Sequence, residues 1–334
     1  MVQPWLPFLQ QAYGWTGEVV VSAGPRGARG QIWQLRHEGV RYAVKELFPP
    51  VPPEALLRTE VAFAEQAAAA GVRLPANRPD REGRYLLTAP DGSRLRVYDW
   101  VDLNRVDPAA GGTAAALGTL LARLHRAGAV ASTEPDGSPP NPWYHSVPSV
   151  ADFATAARSG ATWAARLAQR LDTLDELCAD VQPADPDRLR LCHRDLHPEN
   201  VLADPEGALV VVDWDGFGPA APERELAMVA LDWFGAGPSV DLAAVGRLVE
   251  GYSEAGGPGR LTELADFSML LGQRLNFLLS QLRVALDPDA EPRHRAWAEW
   301  EIDEGLTILP TPAQLRQVLA AVGAARPPAP GLDG

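Results

Sequence analysis

The sequence predicts an α+β fold, with a small antiparallel sheet of five strands and one main helix in residues 1–100 and a larger, mostly helical part after them. Between Glu18 and Val101, runs rich in β-branched and aromatic residues alternate with turns rich in Gly, Asp and Pro, which is strand and hairpin chemistry. From Thr113 onward, Leu and Ala recur at the spacing of helical turns. With 334 residues, 46% of them hydrophobic, the chain can bury a large core as one big domain or as two lobes.

Residues 4–14 read as a short amphipathic helix, with Pro4 near its start and Trp5, Phe8 and Leu9 on one side. A strand at Glu18 to Ser22 follows, then the Gly-rich turn Ala23 to Gly30, and then two strands, QIWQLRHEG and VRYAVKEL, around a turn at Glu38 and Gly39. Gly24, Gly27 and Gly30 would let backbone amides approach phosphates closely, although most such turns are ordinary hairpins. Lys45 ends the third strand between apolar neighbours, where its ammonium can point at phosphate or simply meet solvent. Pro53 and Gly71 bracket a helix that carries Glu54, Glu60 and Glu65. RYLLTAPDGSRLRVYDWVDL supplies two more strands around the turn at Asp91 and Gly92.

After Thr113, Leu117, Leu120, Leu121 and Leu124 form one face of a helix that stops at Gly128. Residues 131–148 are Pro-, Ser- and Gly-rich and predict a surface loop, and residues 150–180 predict one or two Ala-rich helices. Further helices are expected over 239–255, 259–286, 290–308 and 312–324, with a disordered Pro-rich tail at 325–334.

The stretch Leu191 to Gly218, LCHRDLHPENVLADPEGALVVVDWDGFG, concentrates the chemistry. Asp195 and Asn200 are five positions apart, and Asp213 follows a Val-rich run that predicts a buried strand. The turn Ala203 to Gly207 can fold Asn200 and Asp213 back to neighbouring points. Phosphoryl transfer requires a carboxylate that orients or deprotonates the attacking hydroxyl, and oxygen ligands that hold Mg²⁺ against nucleotide phosphates. Asp195 suits the first role, and Asn200 and Asp213 the second.

HRDLHPENV followed by VVDWD resembles the catalytic loop and metal-binding motif of the aminoglycoside phosphotransferase and choline kinase-like family, small-molecule kinases with a protein-kinase-like fold. The family's His, Asp, Asn and following Asp match His193, Asp195, Asn200 and Asp213, and LGTLLARLH, ending at His125, resembles the helix ahead of that loop. The resemblance implies a bilobal fold, with a nucleotide-binding lobe at 1–100 and a catalytic and substrate-binding lobe at 101–324. It implies that Lys45 pairs with Glu60 and holds the phosphates of ATP (or GTP), and that Val97 to Val101, with Tyr98 and Trp100, is the hinge against adenine. It makes Glu225, where the family commonly has Asp, a brace for the catalytic loop. It also locates the acceptor pocket in the C-terminal helices, where Asp232, Asp266, Glu299, Glu301, Asp303 and Glu304 are available acids and Trp233, Trp297 and Trp300 offer faces for a cation. Asp99 and Asp102 could also face a cation, or lie in a solvated loop.

The expected activity is transfer of the γ-phosphoryl group to a hydroxyl of a small cationic molecule. An aminoglycoside or other antibiotic comes first, and hence antibiotic resistance; choline, another amino-alcohol or a sugar such as methylthioribose is the alternative. A protein kinase fits less well, because no APE-type motif follows Asp213. A catalytically inactive nucleotide-binding scaffold would be expected to have lost Lys45, Asp195 or Asp213, and all three are present. A net charge of -13 and a pI near 4.9 argue against a nucleic-acid partner. Two cysteines in different segments, an N-terminus without a secretory pattern and the lack of a long apolar run lead to the expectation of a cytoplasmic protein with no membrane partner.

Overall fold

The computed structural model describes residues 3–27, 30–237 and 239–324, so the tail expected at 325–334 lies outside the described residues. The chain divides into two units. The first takes the chain up to Val106 together with Glu199–Gly216, and the second takes Asp107–Pro198 and the chain from Phe217 onward. The division expected at residue 100 therefore falls at Val106, and the segment that carries Asn200 and Asp213 groups with the first unit.

In the first unit, α1 (Leu6–Tyr13) starts beside Pro4 and stops where Gly14 turns left-handed at φ 66. It is followed by β1 (Val19–Arg26), β2 (Gly30–His37), β3 (Val40–Leu47), α2 (Glu54–Ala69), β4 (Asn77–Arg78), β5 (Leu87–Thr88) and β6 (Arg94–Asp99). The antiparallel sheet runs β1-β2-β3-β6, and the outer edge of β6 is shared by β4, opposite Tyr98 and Val97, and β5, opposite Leu95 and Arg94. The sheet thus has six strands rather than the expected five. Asp80 accepts the amides of Glu82 and Arg84 at 2.9 and 2.8 Å and ties the Arg84 guanidinium, so the chain turns out of the ladder between the two short strands. Trp5, Leu6 and Leu9 of the N-terminal segment cover Leu35, Val44, Leu95 and Val97, with Trp5 edge-on to Trp33 at 6.1 Å.

The rest of this unit is a hairpin that pairs Val201–Ala203 with Leu209–Val211. Asp204 closes its turn by accepting the amides of Glu206 and Ala208. Val211 N–H donates to Arg73 O beyond the end of α2, which attaches the hairpin to the sheet unit.

In the second unit, α3 (Thr113–Ala127) lies along the helix Leu242–Glu254 so closely that a Cβ on Gly118 would fall 2.1 Å from Leu248 O. Only glycine permits that approach. The Ala-rich region forms three short helices, Val150–Ala156, Ala164–Ala168 and Leu171–Ala179. The helix expected from 259 begins at Ser268, because Glu263 and Asp266 form a capping box around a 3₁₀ turn before it. Helices Pro222–Phe234, Pro292–Ile308 and Pro312–Ala324 complete the unit, and Arg190–Cys192 pairs with Gly218–Ala220 in a short two-stranded ladder.

Candidate active site

In the first unit, Lys45 reaches in from β3 and its Nζ donates to Asp213 Oδ1 and Asp215 Oδ2, both at 2.8 Å. Burial opposes the charged ammonium, but Asp215 and Asp213 outweigh it and hold Lys45 above the ordinary lysine range. The Lys45–Glu60 pair implied by the resemblance is not formed. Glu60, 3% exposed on α2, is gripped by both guanidinium nitrogens of Arg96, at 2.7 and 3.0 Å. A planar guanidinium matches a carboxylate with two parallel bonds, whereas a lysine offers a point charge that is here already divided between two aspartates. Burial pushes the Glu60 carboxyl up and Arg96 counteracts that shift. Truncating one member of such a buried pair typically costs about 3–5 kcal/mol.

Asn200 and Asp213 sit at the same end of the hairpin. Val201 faces Val211, and one step further Val212 N–H donates to Asn200 O at 2.9 Å. Asp213 adopts a left-handed backbone, φ 58, which costs a non-glycine residue about 1–3 kcal/mol and persists where surrounding contacts enforce it. One such contact is the Lys45 bond, and the next residue, Trp214, is locked edge-on against Phe63 of α2 at 5.3 Å. The side-chain oxygens of Asn200 and Asp213 are hard donors of the kind Mg²⁺ takes, so the residues present fit that ion.

Of the three turn glycines, Gly24 lies within β1, Gly27 donates its N–H to Gly30 O at 2.9 Å, and Gly30 opens β2. A Cβ on Gly30 would lie 2.5 Å from Glu46 O, so packing against β3 accounts for that glycine. Gln31 straps the turn by donating to the carbonyls of Gly24, Pro25 and Ile32. In the expected hinge, the amides of Asp99 and Trp100 donate to Ala76 O and Arg41 O, and Tyr98 lies under the Arg96 guanidinium, 5.1 Å from its ring centroid. Asp99 and Asp102 are taken by Arg78 and Arg41 through paired bonds, and the Arg41 bond, with help from Trp100, holds the Asp102 carboxyl down at about 2.

In the second unit, Asp195 is about a third exposed and His197 Nε2 lies 3.6 Å from its Oδ1. The preceding Arg194 is left-handed at φ 65 and is fixed from both ends. Its backbone N–H donates to Glu225, and its guanidinium bonds Glu134 and Phe217 O and covers the Tyr144 ring at 4.4 Å. Glu225 also meets His125 Nε2 at 2.7 Å, while His125 Nδ1 lies 2.7 Å from Tyr252 Oη, which accepts from Gly259 N–H at 2.9 Å. That sequence of bonds assigns the tautomer: Tyr252 O–H donates to Nδ1, and Nε2–H donates to Glu225. Cys192 lies close enough to His125 and Glu225 for the three to resemble metal ligands, but the His125 nitrogens and the Glu225 oxygens are already hydrogen-bonded and burial pushes the thiol well up. The cluster is a brace for the loop that carries Asp195.

Glu225 is fully buried, and although burial would raise its carboxyl, the bonds from His125 and Arg194 keep it below the ordinary 4.5. The stability it contributes is therefore complete above about pH 4.5 and is lost as pH falls through the lower folded value. Glu225→Ala is expected to lower Tm at pH 7 by about 5 °C or more, since removing a partner from a buried charged network costs several kcal/mol. The difference from wild type should shrink in melts below pH 4; an unchanged Tm at pH 7 would remove Glu225 from the brace.

Three of the six acids expected around an acceptor are engaged within the fold. Asp232 pairs with Arg274 at 2.7 Å, Asp303 with Arg166 at 2.5 Å, and buried Asp266 accepts the amides of Thr262 and Glu263 as a cap. Trp233 is buried, donating to Leu196 O. Glu299 and Glu304 are exposed, and Trp297 and Trp300 are exposed neighbours with centroids 5.1 Å apart. Four participants were absent from the residues singled out in the sequence: Arg96, Asp215, Glu134 and Tyr252. Asp215 carried a signal in the doubled acid of VVDWD; the other three sit in ordinary strand, loop and helix patterns.

A model of the phosphotransferase enzyme family matches residues 21–267. No curated protein sequence matches the chain. Among solved structures, the chain is similar to a spectinomycin phosphotransferase in complex with ADP and spectinomycin, at 16% identity, TM-score 0.63, over 95% of this chain and 97% of that one. It is similar to an amicoumacin kinase bound to AMP-PNP and Ca²⁺, at 18% identity and TM-score 0.61, over 94% and 96% of the chains. A microcompartment-associated aminopropanol kinase gives 18% identity and TM-score 0.61, over 95% and 98%. These likenesses establish the shared kinase-like fold.

Proposed function

The chain belongs to the phosphotransferase enzyme family, and on that premise we propose that it transfers the γ-phosphoryl group of ATP (or GTP) to a hydroxyl of a small cationic molecule. The observation that carries this reading is the left-handed Asp213 held by buried Lys45 at the end of the hairpin that also presents Asn200. In the reaction, Asp195 accepts the proton of the acceptor hydroxyl, the oxygen so activated forms a bond to the γ-phosphorus, and the bond from phosphorus to the β,γ-bridging oxygen breaks to release the nucleoside diphosphate. Lys45 would hold nucleotide phosphates, and Asn200 and Asp213 would hold Mg²⁺, which would supply charge neutralisation. The glycine turn with Gly24, Gly27 and Gly30, and the strand end with Tyr98 and Trp100, cover the nucleotide, and Glu60 serves through its partner Arg96.

A cationic acceptor is supported by the net charge of -13, by exposed Glu299 and Glu304, and by the exposed Trp297–Trp300 pair, whose faces attract ammonium groups. The likeness to a spectinomycin phosphotransferase, an amicoumacin kinase and an aminopropanol kinase favours an antibiotic first and an amino-alcohol second. No helix among the described residues is long and apolar enough to cross a membrane, and a cytoplasmic setting fits a nucleotide-dependent enzyme.

The test is release of ADP or GDP by the purified chain with Mg²⁺ and a panel of aminoglycosides, other amine-bearing antibiotics, amino-alcohols and sugars. A rise above the acceptor-free rate with an amine-bearing alcohol is expected. No release of ADP or GDP with any member of the panel, with nucleotide still bound, would favour the scaffold reading.

A further inference from the structure

Arg96 stands directly opposite Lys45 in the β3–β6 pairing. Two like charges facing each other across a strand pair are destabilising unless anions lie between them. Arg96 is 1% exposed and Lys45 is buried, so water does little to separate them. Three carboxylates supply the compensation. Glu60 takes the Arg96 fork, Asp213 takes Lys45, and Asp215 spans both cations, with Oδ2 2.8 Å from Lys45 Nζ and Oδ1 3.8 Å from Arg96 Nη1. Arg96 also donates to Asn77 Oδ1 at 3.0 Å and stacks on Tyr98. The rigid guanidinium plane donates to Glu60 and Asn77 while its charge faces Asp215 at 3.8 Å, a geometry that an ammonium on a flexible stem does not fix.

We propose that Arg96 is a positioning residue for the nucleotide: by binding Glu60 it frees Lys45 from the helix carboxylate, and by holding Asp215 it fixes the direction in which Lys45 meets Asp213 and the phosphates. This rests on the nucleotide-dependent reading above. The strand lysine is oriented by Arg96 of the neighbouring strand acting through Asp215, in the turn after the hairpin, instead of by the glutamate of α2. Glu60 serves chiefly to hold the arginine.

The competing account is that Arg96 only neutralises buried Glu60. The two accounts separate in a double variant, Arg96→Met with Glu60→Met, which removes both charges and leaves no buried ion alone. Binding of Mg-ADP to the full chain by calorimetry is the readout, because it needs no acceptor. The relay predicts that the double variant, folded by its thermal melt, binds Mg-ADP about tenfold more weakly than wild type, and that Arg96→Lys, which keeps the charge, weakens binding about threefold or more. It also predicts that Asp215→Asn weakens binding and that adding Arg96→Met with Glu60→Met to it costs little more, since arginine and aspartate act as one unit. Wild-type affinity in the double variant, or in Arg96→Lys should the double variant fail to fold, overturns the relay. Full additivity of Asp215→Asn with the Arg96→Met and Glu60→Met pair also overturns it. Failure of the wild-type chain itself to bind Mg-ADP overturns the nucleotide reading and the relay with it, and is distinguished by that control.

Discussion

Asp195→Asn is expected to lower acceptor-dependent turnover on the order of 10²–10⁴-fold while leaving Mg-nucleotide affinity within about twofold of wild type. The amide is nearly isosteric with the carboxylate and can still orient a hydroxyl by hydrogen bonding, but it cannot take the proton as the oxygen attacks phosphorus. Nucleotide affinity should hold because the groups assigned to the nucleotide and its metal, Lys45, Asn200 and Asp213, belong to the other structural unit. The loop should also hold its shape, since it is fixed through Arg194 and Glu225. The measurement is kcat with the best acceptor of the panel, beside calorimetry with Mg-ADP. Normal turnover in the variant would remove Asp195 from the role of base.

Asp213→Ala is expected to abolish the Mg²⁺ dependence of nucleotide binding and to weaken Mg-ADP affinity by about two orders of magnitude, because a carboxylate ligand for the ion is lost together with an anionic partner of buried Lys45. Two effects combine. The metal loses its carboxylate ligand, and Lys45 loses one of its two anionic partners and swings toward Asp215. The methyl side chain also has nothing to support the left-handed backbone at φ 58, so the turn into Trp214 relaxes. Titrating ADP with and without Mg²⁺ distinguishes wild type from variant. A variant with the same metal-dependent gain in affinity would sink the assignment.

Much of the fold was legible because its signals are local. The β-branched runs and the DG turn produced the sheet, and the heptad-like leucines of LGTLLARLH produced α3. The sixth strand was not legible, because Asn77 and Arg78 sit between two prolines and pair only through the edge that β6 exposes. The start of the helix at Ser268 was hidden for a similar reason. Asp266 looked like a substrate acid until its carboxylate was found capping the turn before that helix. Acids on C-terminal helices read alike in sequence whether they bind a ligand, an arginine or a backbone amide.

By itself, the sequence determined the family and the spacing of Asp195, Asn200 and Asp213, because a separation of five positions and the hairpin that follows Asn200 constrain these groups whatever surrounds them. It also placed Lys45 toward the end of the third strand beside apolar neighbours. Only the tertiary structure decided which charge meets which. Lys45, Arg96, Glu60, Asp213 and Asp215 come from two strands, a helix and a hairpin far apart in the chain, and in a buried cluster pairing follows from donor geometry and from the cost of leaving any charge alone. No local pattern carries that information, which is why the glutamate expected beside the lysine is found on the arginine.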